Sequence, residues 1–324
     1  MTPPPRLVPQ AGPSVWTGAA LTPADWMVPI GAEATGELEA ALVALAGRDP
    51  AGPGDAPLPG LAPLLRSLAD RLEHGQGVVL LRGLDLDRLA GPAAEAALRV
   101  LGAHLGTALA QDAAGTLVGR LAGPGAEAGA AARFHADPAD AVALLCLQQP
   151  REGGRISLVS APALHNALMK SDRAALAVLH GALPHRAPGS PEPVDLPVFS
   201  TASGAFVGRY DRDSLVEAAL DAAQQAALAA LDAAAAAPGQ ALSIALHAGD
   251  ILFHNPHLVW KQVKAGAGTV PDEAERELLR LWLATPGSRA LPDSFRAVFG
   301  TTAAGAARGG VPVPAPGPGN MVGG

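Results

Sequence analysis

A mixed α+β fold, with a strand-rich core in the second half of the chain and helices packed around it, is what three features of the sequence predict. Helix-periodic segments fill most of residues 21–106, short apolar runs divided by turn residues dominate from Phe134 onward, and the two kinds of segment do not alternate strictly. A doubly wound parallel sheet would need that alternation. With 324 residues, 49% of them apolar and 16% charged, the chain can bury one sizeable core, and it has no internal repeat at a fixed period.

The elements follow in order. Leu21 to Pro23 and then AEATGELEAALVALAGR predict a helix ending near Gly47, and APLLRSLADRLEHG predicts a second one capped by Gly75. The Val- and Leu-rich run VVLLRG after Gly77 is a strand, and PAAEAALRVLGAHLG is a helix stopped by Gly106. Beyond Phe134 the predicted strands are AVALLCL, RISLVS, VDLPVFS, GAFVGRY, ALSIALHAGDILFHN, HLVWKQV and LLRLWLA. Two helical insertions interrupt them, at 161–181 and at 213–236, the second rich in alanine. Glycine and proline cluster at both ends, so residues 1–20 and 301–324 are expected to be flexible tails around a single domain spanning 21–300.

Composition removes several classes of function. A net charge of −7 provides no basic field for phosphate, and four Trp, one Tyr and six Phe are too few for rows of stacked bases, so nucleic acid is not expected as a partner. The single Cys146 permits neither an internal disulfide nor a cysteine-based zinc site, which suits a reducing compartment and reads as cytoplasmic. No apolar run reaches the ~18 residues of a membrane span, and the N-terminus has no signal-peptide core. A small-molecule substrate is the expected partner, with monomer and homo-oligomer both open.

Chemistry enters with His135-Ala136-Asp137 in RFHADPAD. On a strand, residues i and i+2 project from one face and can present an imidazole and a carboxylate to one metal ion. Nine histidines and 18 aspartates in 324 residues make one such triplet by chance a common event, so context has to decide.

The context is an ordered series: FHADPADAVALLCLQQPREGGRISLVSAPALHNAL, then LPVFS, GRYDRDSL, GDILFHNPHLVW and ERELLRLWLATPG. From Val78 to Phe295 this series resembles the taurine dioxygenase-like (TauD/TfdA) family of non-haem Fe(II), 2-oxoglutarate-dependent oxygenases. The resemblance implies a double-stranded β-helix, or jelly roll, with flanking helices. It also implies iron held by His135 and Asp137, with the remaining faces open for 2-oxoglutarate and O₂. Arg280 in LLRLWL, or Arg276 four residues earlier, would clamp the distal carboxylate of 2-oxoglutarate, a task suited to a planar guanidinium.

Two positions depart from the family pattern. Counting from Gly249, the third iron ligand, a histidine in the family, falls on Lys261. An ammonium has no lone pair for a metal until it loses its proton, and the ordinary lysine value is about 10.4. His257 and His254 lie four and seven residues earlier, and His257 is the nearest alternative ligand, although four residues of strand span about 13 Å. The second departure follows Gly153-Gly154, where the family's small hydroxyl residue is replaced by Ile156; the adjacent Ser157 points to the opposite face.

Two functions from different classes therefore stay open. One is an oxygenase that oxidises a small molecule with release of succinate and CO₂. The other is a catalytically silent member of the fold in which Lys261 stands as a fixed positive charge beside Asp137. His165 and the RYDR stretch around Tyr210 also match the family, His165 as a packing or capping residue and Tyr210 as a cavity wall or a buried, hydrogen-bonded ring. The segment 111–134, which would cover the site, offers little that could recognise a substrate.

Overall fold

The computed structural model describes residues 7–122, 133–149, 154–187, 190–263 and 276–314. Its strands are β1 (Met27–Pro29), β2 (Val78–Arg82), β3 (Thr107–Ala108), β4 (Val118–Ala122), β5 (Ala141–Gln148), β6 (Ile156–Ser160), β7 (Leu183–His185), β8 (Val194–Leu196), β9 (Phe199–Ala202), β10 (Ala205–Gly208), β11 (Leu242–Ile244), β12 (Ile251–His254), β13 (Val259–Val263) and β14 (Glu277–Ala284). The helices are α1 (Pro23–Trp26), α2 (Ala32–Leu45), α3 (Ala62–Glu73), α4 (Pro92–Leu105), α5 (Ala161–Ser171), α6 (Arg173–Leu179), α7 (Ala222–Ala235) and α8 (Arg296–Phe299). The expected mixed α+β class is what forms.

Seven strands make the main sheet in the order β1-β2-β12-β5-β14-β3, with β4 also paired to β14; β11, β6 and β13 make a second sheet. β5 is buried on both faces for six consecutive residues, Ala141 to Cys146, which is why its sequence is a continuous apolar run without polar alternation. The two parities of the main sheet serve different layers. Val79, Leu81, Ala143, Leu145, Phe253, Leu279 and Leu281 pack against α2, α3 and α4. Val78, Leu80, Val142, Leu144, Leu252, Leu278 and Trp282 share a core with Ile156, Leu158, Val259 and Val263 of the second sheet. The candidate site lies within that shared core.

Several sequence expectations change in detail. The helix expected at 161–181 breaks in two at Asp172, whose side chain accepts a hydrogen bond from Ala175 N–H and so caps α6. The insertion at 213–236 begins with two short 3-10 turns, and α7 starts only at Ala222 behind an Asp221/Gln224 capping box. VDLPVFS divides into β8 and β9. Part of the featureless segment 111–134 forms β4, while residues 123–132 lie outside the described residues.

The two tails are corrected where they are described. Trp16 is buried and donates Nε1–H to Gln76 O at 2.8 Å, and Ser160 Oγ donates to Ser14 O at 2.5 Å. At the other end Arg308 is buried, and the backbone of Gly310 donates to Pro138 O at 2.8 Å. Proline and glycine favour mobility, yet buried aromatic and ionic anchors outweigh their entropy here. Residues 1–6 and 315–324 lie outside the described residues. Among the described residues no helix is long and apolar enough to cross a membrane.

Candidate active site

His135 forms an isolated antiparallel bridge with Lys261: His135 N–H donates to Lys261 O at 2.9 Å and Lys261 N–H donates to His135 O at 3.1 Å. The bridge adds the His-x-Asp segment to the free edge of β13, because β6 occupies the other edge. Strand parity then sets directions. Lys261 shares its face with Val259 and Val263, opposite Leu158 in the register, while Trp260 on the reverse face stacks on Phe199 at 5.8 Å.

The side chains converge at the bridge. Lys261, with no exposed surface, donates from Nζ to Asp137 Oδ2 at 2.6 Å, and the same Nζ lies 2.8 Å from His135 Nε2. His135 Nδ1 is 3.2 Å from Arg133 O. Together these contacts select the tautomer in which Nδ1–H donates to the carbonyl and Nε2 accepts from the lysine ammonium. Arg280, on β14, brings Nη1 to 3.7 Å from Asp137 Oδ1. Its Nε donates to Gln111 Oε1 at 2.7 Å, Gln111 Nε2 donates back to Arg280 O at 2.7 Å, and the guanidinium lies over the Trp282 ring at 4.7 Å. The arginine is therefore clamped on the site face of the main sheet.

Electrostatics agree with the distances. Burial alone would raise the Asp137 carboxyl, but Lys261, His135, Arg280 and His254 together outweigh it and hold the group far below the usual carboxylate range. His254, fully buried at the end of β12, is pushed down to about 3 by burial and by the charge of Lys261, with Asp137 acting the other way. Neither of its ring nitrogens has a hydrogen-bond partner among the described residues.

His135, Asp137, Lys261 and Arg280 are thus brought together. His257 is not: its Nε2 is 3.2 Å from Asp140 Oδ1 and its ring packs on Phe299, so the expectation that it could be the third ligand is corrected. Asp140 in turn accepts from Arg308 at 2.8 Å and from Thr285 N–H at 3.3 Å. Arg276 stands just before β14, four residues from Arg280, beyond a register shift at Glu277/Leu278. Ile156 is fully buried, and Ser157 lies on the other face of β6, in a groove with Phe134 and Gln262; Gly153 lies outside the described residues. Tyr210 is a buried ring whose hydroxyl donates to Asp232 Oδ1 at 2.5 Å, anchoring α7. His165 packs against Phe199 and pairs with His180 Nε2 at 3.1 Å.

Gln111 holds Arg280 in place, a role that its sequence context does not announce. Gln111 sits in a stretch whose composition says nothing of an arginine 169 residues away.

The iron that the family resemblance implies does not fit the residues as they stand. The lone pairs of His135 Nε2 and Asp137 Oδ2, which a metal would need, face the Lys261 amine, and among the described residues no three His, Cys, Asp or Glu side chains are grouped to hold a metal ion. A cation already sits against the carboxylate.

The sequence profile of the taurine catabolism dioxygenase TauD, TfdA family matches residues 44–282. FR-33289 synthase of Streptomyces rubellomurinus (strain ATCC 31215) is 26% identical over 268 residues, covering 74% of this chain and 78% of that protein. Among solved structures, an asparagine oxygenase in complex with Fe(II), 2S,3S-3-hydroxyasparagine and succinate superposes with a TM-score of 0.61 at 20% identity, covering 80% of this chain and 93% of the other. The non-heme iron oxygenase OrfP in complex with Fe, succinate and (3R,4R)-dihydroxy-L-Arg gives 0.60 at 20% identity, covering 86% and 99%. At such identity the structural likeness is one of fold. The profile match spans most of the chain and contains both the His-x-Asp segment and the strand that carries Lys261, so the chain belongs to the TauD/TfdA family.

Proposed function

We propose that this chain is a metal-free member of its family, a small-molecule-binding protein in which Lys261 provides the positive charge that iron provides elsewhere. One observation carries the reading: a single buried amine lies 2.6 Å from Asp137 Oδ2 and 2.8 Å from His135 Nε2. That set is self-sufficient. The ammonium neutralises the carboxylate, the neutral imidazole accepts a second N–H, and a ferrous ion added beside the amine would meet like-charge repulsion. The two facing sheets are read as the double-stranded β-helix of the family, with Arg280 and Gln111 on its inner wall.

A second reading, an Fe(II)/2-oxoglutarate-dependent oxygenase acting on a small molecule, is favoured by the family and by the juxtaposition of His135, Asp137 and Arg280. The relatives described with bound Fe and succinate act on amino acids or bind them. This reading requires the Lys261 amine to give up its proton and its place.

Anaerobic metal analysis and a 2-oxoglutarate turnover assay on the purified protein separate the two. The expected outcome is no stoichiometric iron and no succinate formation in the wild type, with iron uptake restored in Lys261→His. Stoichiometric iron with succinate release from the wild type would establish the oxygenase.

A further inference from the structure

Arg209 follows β10 and is held by its own backbone, with N–H donating to Val198 O at 2.8 Å. Its side chain is nearly sealed, since the residue is only 5% exposed. Nε and Nη1 are both shut off from solvent, and neither has a hydrogen-bond partner among the described residues. The contact it does make is with an aromatic face: the guanidinium carbon lies 5.9 Å from the centre of the Phe299 ring. Asp211 and Asp137 act on it only through space. Asp137 Oδ2 is already engaged by Lys261, and Asp211 Oδ1 accepts from Asp213 N–H.

Two other arginines with buried side chains are treated differently. Arg308 donates to Asp140 and to the carbonyls of Thr302, Ala303 and Arg289. Arg289 donates to the Glu73 carboxylate and to the carbonyls of Glu73 and Phe206. A guanidinium taken out of water without acceptors is costly, and a cation–π contact returns only part of that cost. Arg209 is the exception among these, and its missing element is an anion.

We propose that Arg209 anchors a buried oxyanion site, in which its guanidinium receives the paired oxygens of a small acid, carboxylate or phosphate, beside Phe299. The planar fork of N–H donors matches two oxygens of one acid group. The inference deepens the ligand-binding reading by naming the chemistry of the ligand, but it rests on residues other than the Lys261 pair.

The test is calorimetric titration and thermal unfolding of the full chain with succinate and, separately, with inorganic phosphate. One of the two is expected to bind and to raise the melting temperature; a response to succinate identifies a carboxylate ligand, a response to phosphate a phosphorylated one. Arg209→Met should weaken that binding about tenfold or more. Without ligand it should melt no lower than the wild type, because an unpaired buried cation has been removed. Arg209→Lys, which keeps the charge and loses the fork, should also bind more weakly, and it serves if the methionine variant does not fold. Absence of any response to both anions overturns the proposal, as does binding that survives either substitution. Iron content, measured on the same preparations, reports on the metal-free reading alone.

Discussion

At position 261 the side chain decides between two chemistries. Histidine there would offer a lone pair to a metal; lysine offers N–H donors, and both neighbours that a metal would use accept from it. Removing one member of a buried ion pair costs more than the pair contributes, because the partner is left charged and desolvated. Lys261→Met is therefore expected to lose about 3 to 5 kcal/mol of stability near pH 7, measured by urea unfolding. The pH dependence has a definite sign. Asp137 ionises in the folded protein well below its ordinary value of 3.8, so its contribution is complete above that pH and fades as the pH falls through it. In Lys261→Met the wild-type advantage should shrink on acidification below about pH 4; a gap that stays constant there would show that Lys261 does not set the ionisation of Asp137. The identity of residue 261 was legible by counting from Gly249. That its amine touches both His135 and Asp137 was not, since the two partners lie more than 120 residues away.

Elements are placed by constraints that the sequence carries unevenly. β12 starts from Gly249, which has φ +86° and whose missing Cβ would lie 2.0 Å from Leu84 O. The following Asp250 is buried and takes a bidentate ion pair from Arg82 on the neighbouring strand β2, Nη2 donating to Oδ2 at 2.7 Å and Nε to Oδ1 at 3.0 Å. Gly249→Ala meets both a left-handed backbone and a backbone oxygen that cannot yield, so a loss of roughly 2 kcal/mol or more is expected, read as a lower urea midpoint. An unchanged midpoint would mean that this turn relaxes freely. Periodicity revealed β2, β5, β13, β14, α2 and α4 because each has a strong apolar face. It did not reveal β1, β3 or β7, two or three residues long, whose hydrogen bonds depend on a partner strand and not on local pattern.

Across the whole molecule the C-terminal segment is tied back to the site. Asp140, three residues after Asp137, accepts from Arg308, His257 and Thr285, and Arg308 also binds carbonyls at 289, 302 and 303. Asp140→Asn keeps the shape and removes the charge, leaving Arg308 buried without its acid. Stability should fall by about 3 to 5 kcal/mol. Proteolysis within 300–314 should accelerate, and adding Arg308→Met should cost much less than it does in the wild type, since the two act as one unit. Additive losses in that double-mutant cycle would show that the clamp is not a pair.

By itself the sequence determined the fold class, the order of the main elements and the family, and it singled out Lys261 by its count from Gly249, because these depend on local periodicity and on motif order along the chain. Only the tertiary structure decided which side chains that lysine touches, which arginine among the described residues lacks a hydrogen-bonded acid, and that the described parts of both termini pack. Each of these depends on side chains far apart in sequence competing for the same buried partner, and burial is a property of the assembled fold.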